Sequence, residues 1–149
     1  MSDIPENMPS WIAEHVELYL SDPEKAHMWD SSVAGGKGML PCLLLVTKGA
    51  KTGKERMLPL IYKKVGDDYV IIASKGGAPS HPAWYLNLQA TSECEIRVGA
   101  EIYNAKARDA EGDERQQLWG ELATVYPPYN DYQSRAGDRV IPVVVLTPQ

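Results

Sequence analysis

Cysteine is scarce in this chain. Cys42 and Cys94 are the whole complement, they form no Cys-x-x-Cys pair, and no spacing of cysteine and histidine suits a zinc site. Both are expected to be reduced, with Cys42 part of the core because it sits inside an apolar run. Histidine is equally sparse: His15, His27 and His81 are scattered, and no His-Glu-x-x-His, Gly-x-Ser-x-Gly or paired-carboxylate motif is present. Hydrolysis by side chains alone is therefore poorly supported, and no metal site is expected. No apolar run approaches the roughly 20 residues of a membrane span, and Met1 to Pro9 lacks the apolar stretch of a signal peptide, so the expected compartment is the cytoplasm. Excess positive charge is missing as well. The formal net charge of -5 disfavours a general nucleic-acid-binding role.

What is present describes an ordinary globular protein. The 149 residues, 44% hydrophobic and 23% charged, suit a single domain, 1–149, in which 1–38 form an N-terminal helical segment and linker. Trp11 to Leu20 reads as an amphipathic helix capped by Ser10, with Ile12, Val16 and Leu20 recurring at a spacing of four. Glu14 and Glu17 favour packing of this helix on the domain over a membrane surface, though peripheral membrane contact stays open. A second helical piece is expected from Asp22 to Trp29, then a glycine-rich linker over Ala34 to Gly38.

From Pro41 the period changes. Strands are expected at Cys42–Thr47, Arg56–Val65, Tyr69–Ala73, Glu95–Val98, Glu101–Ala107 and Val140–Leu146, with Pro142 suggesting an edge or a bulge in the last. Helices are expected at Ala83–Ala90 and Ala110–Val125. About six strands in hairpin succession, without a strand-helix-strand rhythm, predict a mainly β fold with flanking helices: a small antiparallel barrel or curled sheet.

Charge is unevenly spread over that scheme. Lys48, Lys51, Lys54, Arg56, Lys63 and Lys64 face a single acid, Glu55, across one stretch, and Gly49 and Gly53 allow a tight turn whose N–H groups form an anion-binding concavity. Taken alone, this turn also reads as a solvated hairpin tip. Ser74-Lys75-Gly76-Gly77 repeats the chemistry one hairpin later, which predicts one small anionic ligand between the two turns. His81 lies before Trp84 and reads either as a ligand donor or as a loop histidine touching backbone. Tyr126, Tyr129 and Tyr132 around Pro127-Pro128 read either as the wall of a pocket for a planar substrate or as packing of a stiff loop.

The combination Gly49-Ala50-Lys51-Thr52-Gly53-Lys54-Glu55-Arg56, Leu58-Pro59-Leu60, Ala73-Ser74-Lys75-Gly76-Gly77, Pro82-Ala83-Trp84-Tyr85-Leu86-Asn87-Leu88 and Ile141-Pro142-Val143 resembles the deazaflavin-dependent nitroreductase family. That resemblance implies a split β-barrel of the FMN-binding, pyridoxamine-phosphate-oxidase type and coenzyme F420, whose flavin-like ring carries a phosphodiester and an oligoglutamate tail. It implies that Lys51, Thr52, Lys54 and Arg56 hold the phosphate and glutamates, and that Ser74, Lys75, Gly76 and Gly77 meet the phosphate and linker. Leu58, Pro59 and Leu60 would run along the ring, with Trp84 and Tyr85 close to it. Tyr126, Tyr129, Tyr132 and Ser74 would form the catalytic, substrate-facing side, Tyr129 first among them as proton donor. The activity implied is hydride transfer from the reduced deazaflavin to an electron-poor small molecule: an enone, an unsaturated lactone such as a coumarin or furanocoumarin, a quinone or a nitro compound. A non-catalytic lipid or cofactor carrier and an FMN-dependent oxidoreductase are the alternatives, and the chain is expected as monomer or homodimer.

Overall fold

The computed structural model describes residues 10–34, 36 and 38–149. The reading of Met1 to Pro9, the capping side chain of Ser10, the side chain of Trp11, and Gly35 and Lys37 of the linker lie outside the described residues and side chains. Eight strands are described: β1 (Met28–Asp30), β2 (Met39–Lys48), β3 (Glu55–Ile61), β4 (Lys63–Val65), β5 (Asp68–Ile72), β6 (Glu93–Val98), β7 (Glu101–Asp109) and β8 (Val143–Pro148). The helices are α1 (Ser10–Ser21), α2 (Pro23–Ala26), α3 (Ala83–Ala90), α4 (Gly112–Val125) and α5 (Pro128–Arg135).

All strand pairs are antiparallel, in the order β1-β2-β6-β7-β8-β5-β4, with β3 beside β2. The ends of this order meet through the chain itself. β3 pairs with β2 from Lys48↔Glu55 to Cys42↔Ile61, Tyr62 interrupts, and β4 pairs with β5 from Lys63↔Val70 to Val65↔Asp68. The expected strand Arg56–Val65 is thus one bent run that serves both edges of the curled sheet. Counted so, β2, β3–β4, β5, β6, β7 and β8 make the expected six, and β1 is an addition.

The apolar runs are continuous because both faces of the sheet are covered. Leu43, Leu45, Ile71, Ile96, Val144 and Leu146 point into one core cluster, and their neighbours Val70, Ile72, Val143 and Val145 point into another with Leu118 and Leu122 of α4 and Tyr129 of α5. Leu44 and Val46, on the other face of β2 from Leu43 and Leu45, take Val16 and Tyr19 of α1. Burying Val16 there contributes about 1.5–3 kcal/mol. Tyr19 fixes the helix further: its hydroxyl donates to Cys42 O at 2.7 Å and accepts the Gly99 N–H at 3.0 Å. The first helix therefore packs on the barrel.

Three expectations need correction. The helical piece of 22–29 stops at Ala26, and Met28–Asp30 is a strand, held by pairing with the start of β2 (Met28↔Pro41, Asp30↔Met39). The tyrosine stretch is largely helix, since Pro128 occupies the first turn of α5, where a missing N–H costs nothing. The last strand is not an edge: β8 pairs with β5 and β7, and Pro142 precedes it, its carbonyl accepting the Ala73 N–H at 3.0 Å.

Candidate active site

A cavity of 960 Å³ opens between β3, α3, the Ser74 loop and α5. Its cationic end starts at the β2–β3 turn. Gly49 N–H donates to Lys54 O at 2.7 Å, Gly53 N–H donates to Gly49 O at 2.8 Å, and Gly53 takes φ +71°, the left-handed conformation that glycine adopts freely. Asn87 of α3 locks this turn in place. Its Oδ1 accepts the Ala50 N–H at 2.9 Å, and its Nδ2 donates to Thr47 Oγ1 at 3.1 Å. Lys51, Thr52 and Arg56 line the cavity, and among the described residues neither Lys51 nor Arg56 meets a carboxylate.

Ser74, Lys75 and Gly76 line the same cavity. Ser74 is right-handed (φ -78°, ψ -39°), while Lys75 and Gly76 follow at φ 48° and 63°. A right-handed residue followed by a left-handed one turns successive N–H groups into one concavity, an anion nest. Lys75 is also the one non-glycine residue at positive φ among those described, a strain that marks functional loops. The two basic turns do converge.

Leu58, Pro59 and Leu60 of β3 and Trp84 of α3 give the cavity an apolar lining, and Tyr126, Tyr129 and Tyr132 complete its wall. The Tyr126 and Tyr132 hydroxyls are 2.9 Å apart. Tyr129 is buried, and its hydroxyl has no hydrogen-bond partner among the described residues. Burial, then the neighbouring Cys42, Tyr126 and Tyr132, push the Tyr129 hydroxyl well above the usual phenol range, so it stays protonated and available as a donor. Burial and the Tyr132 hydrogen bond do the same to Tyr126.

Lys54, Gly77 and Tyr85 do not line this cavity. Lys54 is exposed on the turn, with its N–H on Thr52 Oγ1 at 3.2 Å. Gly77 is buried against α5. Tyr85 points to the barrel core side, donating to the Asp109 carboxylate and packing on His81 with ring centroids 4.8 Å apart. His81 is likewise off the cavity: its Nδ1 meets Arg139 at 3.1 Å, and burial with Arg139 lowers its pKa below the usual histidine value. Sequence reasoning missed Asn87, Arg139, and the contribution of Ile12, His15 and Trp29 to the wall. His15 is held by Ala26 O at 2.8 Å and stacks with Trp29.

The fold is a curled antiparallel barrel, and its cavity joins Lys51 and Arg56, which meet no carboxylate among the described residues, to an anion nest and an apolar lining. The description of the family that matches residues 17–148 is F420H(2)-dependent quinone reductase, and the chain belongs to that family. It is similar to an F420H(2)-dependent quinone reductase of Mycobacterium tuberculosis, 37% identical over 148 residues that cover 92% of this chain and 95% of the relative. A solved F420-H2 dependent reductase, FDR-A, is 40% identical over 71% of this chain and 93% of its own, with a TM-score of 0.66. A solved structure described as a domain-swapped dimer is 35% identical over 92% and 97%, with a TM-score of 0.68. A pyridoxamine 5'-phosphate oxidase structure from Listeria innocua, 8% identical with a TM-score of 0.51 over 72% of this chain and 83% of its own, shares the fold alone. The chain is therefore an oxidoreductase that uses reduced coenzyme F420, and the carrier and FMN alternatives fall away. No described helix is long and apolar enough to cross a membrane.

Proposed function

We propose that the chain transfers a hydride from reduced F420 to a quinone. Enones, unsaturated lactones such as coumarins and furanocoumarins, and activated nitro compounds are related electron-poor acceptors for the same wall. The observation that carries this reading is the single 960 Å³ cavity that unites Lys51, Arg56, Lys75, the apolar strip Leu58-Pro59-Leu60 and the three tyrosines. Quinone leads the acceptors because the relatives that resemble this chain over most of its length are named for it.

The residues fit the cofactor's chemistry. Lys51 and Arg56, without carboxylate partners among the described residues, and the N–H groups of Ser74, Lys75 and Gly76 suit phosphate and glutamate. Thr52 and Ser74 add hydroxyl donors beside them. Lys54, exposed on the same turn, would add a further cation for the anionic tail, and Gly77 packs the loop against α5. Leu58, Pro59, Leu60 and Trp84 would hold the ring and keep water from it. Tyr85 acts at one remove, by packing α3 on His81.

When bound, the reduced deazaflavin supplies a hydride at its central-ring carbon. Tyr126, Tyr129 and Tyr132 would orient the acceptor, and the Tyr129 hydroxyl would donate a hydrogen bond to the acceptor oxygen on which negative charge develops. Ser74 and the Tyr126–Tyr132 pair stand as further donors on the same cavity. The homodimer is favoured over the monomer by the relative described as a domain-swapped dimer, and sedimentation reads it directly.

The test is Tyr129→Phe. Turnover of a quinone should fall about 10²-fold, the effect of losing one donor to developing charge, while F420 affinity is kept. Unchanged turnover would remove Tyr129 from the chemistry. Comparing a quinone, a coumarin and a nitroimidazole as oxidants of reduced F420 should show the quinone fastest.

A further inference from the structure

The loop that presents Ser74, Lys75 and Gly76 to the cavity is gripped from behind. Arg139, between α5 and β8, does not line the cavity. Its Nε–H donates to Ala78 O at 2.9 Å, Nη1 donates to Ala73 O at 3.0 Å and to His81 Nδ1 at 3.1 Å, and Nη2 donates to Ser74 O at 2.7 Å. These carbonyls bracket Lys75–Gly77. Among the described residues no carboxylate lies within ion-pair distance of the guanidinium, so its rigid fork is committed to backbone and to one imidazole.

The direction of these bonds matters. In a trans peptide the carbonyl and the following N–H point in opposite directions. Drawing the Ala73 and Ser74 carbonyls towards Arg139 therefore turns the Ser74 and Lys75 N–H groups away from it, on the side where those residues line the cavity. It also holds Lys75 at its strained φ of 48°. Arg139 is fixed in turn by Gln133 of α5, whose Nε2 donates to Arg139 O at 2.8 Å and whose Oε1 accepts the Ile141 N–H at 2.9 Å. The same helix sits directly on the loop, since a Cβ built on Gly77 would come within 2.7 Å of Tyr132 O.

We propose that Arg139 is the positioning residue of the cofactor's anion site: it sets the amide groups that receive the phosphate and fastens them to the helix that bears Tyr129 and Tyr132. This rests on the reading of the Ser74 loop as the phosphate site. Arg139 touches neither cofactor nor acceptor, and it acts through the backbone of the loop.

The test is a fluorescence titration of the full chain with intact coenzyme F420 and with its phosphate-free ring-and-ribityl fragment, on the wild type, Arg139→Met and Arg139→Lys, with circular dichroism and melting curves alongside. The wild type should bind the intact coenzyme more tightly than the fragment. Arg139→Met should weaken the intact coenzyme about tenfold or more and leave the fragment within about twofold, and Arg139→Lys should be nearly as weak because an ammonium on a flexible stem does not reproduce the planar fork that spans the three carbonyls. If Arg139→Met does not fold, Arg139→Lys carries the same comparison. Equal losses for both ligands would show a purely structural residue, and unchanged binding of both would show an idle one; either overturns the proposal while the phosphate reading survives. A wild type that binds both ligands equally removes the phosphate reading and the proposal with it.

Discussion

The hydroxyls of Tyr126 and Tyr132 share a hydrogen bond of 2.9 Å on the cavity wall, across the turn that joins α4 to α5. One of the two must donate to the other, so the pair behaves as a unit. Tyr132→Phe should cost about 1 kcal/mol of stability by urea denaturation. The double replacement Tyr126→Phe with Tyr132→Phe should cost less than the sum of the singles, because the shared bond is lost only once. Strict additivity would mean that the bond does not form in solution.

Asn87 joins the basic turn to α3 with both ends of its amide. Asn87→Ala leaves the Ala50 N–H and Thr47 Oγ1 without that partner and should destabilise the chain by about 1–3 kcal/mol. F420 affinity should fall as well, since Lys51 sits on the released turn. Asn87→Asp keeps an acceptor for Ala50 and should lose less of both. Equal losses for Ala and Asp would show that the side chain's volume matters and its hydrogen bonds do not.

Alkaline pH should weaken the fold in a predictable window. Burial pushes the Cys42 thiol from 9.0 up to about 12 and Cys94 from 9.0 up to about 11. It also lifts Tyr19 and Tyr62 from 10.0 up to about 12. In each case the unfolded chain releases its proton first, so the stabilisation is complete below the unfolded value and is lost as pH rises through the folded one. Stability should be flat from about neutral pH to about pH 8 and fall above it, the thiols titrating first and the tyrosines joining as pH nears 10.0. Cys42→Ala should flatten that first part of the slope, whatever it does to stability at neutral pH. A slope identical to the wild type's would deny the thiol's burial.

Much of this architecture is legible in the amino-acid order, because local patterns carry it. Helix Ala83–Ala90 is bounded by Pro82 and by the extended Thr91, and the turn at Gly66-Asp67 separates two strand-forming runs, so both can be read locally. β1 cannot, since three residues beside a helix become a strand only through the distant Met39–Pro41. The two prolines before Tyr129 punctuate in one context and start a helix in another. At the site, helical residues three apart lie on one face, so Asn87 joins Trp84 on the cavity while Tyr85 does not line it. That signal was available. Arg139 offered none: three of its partners are backbone carbonyls 61 to 66 residues away, and no side-chain pattern announces a carbonyl.

The central claim is that the cations of the β2–β3 turn hold the anionic tail of F420, and a parallel fluorescence titration with F420 and FMN tests it most directly. It would use the wild type, Arg56→Ala and Lys54→Ala. The account predicts preference for F420, a loss of about tenfold or more in Arg56→Ala, since Arg56 lines the cavity, and a smaller loss in Lys54→Ala, since Lys54 is exposed outside it. Tighter binding of FMN, or F420 affinity untouched by Arg56→Ala, would contradict it.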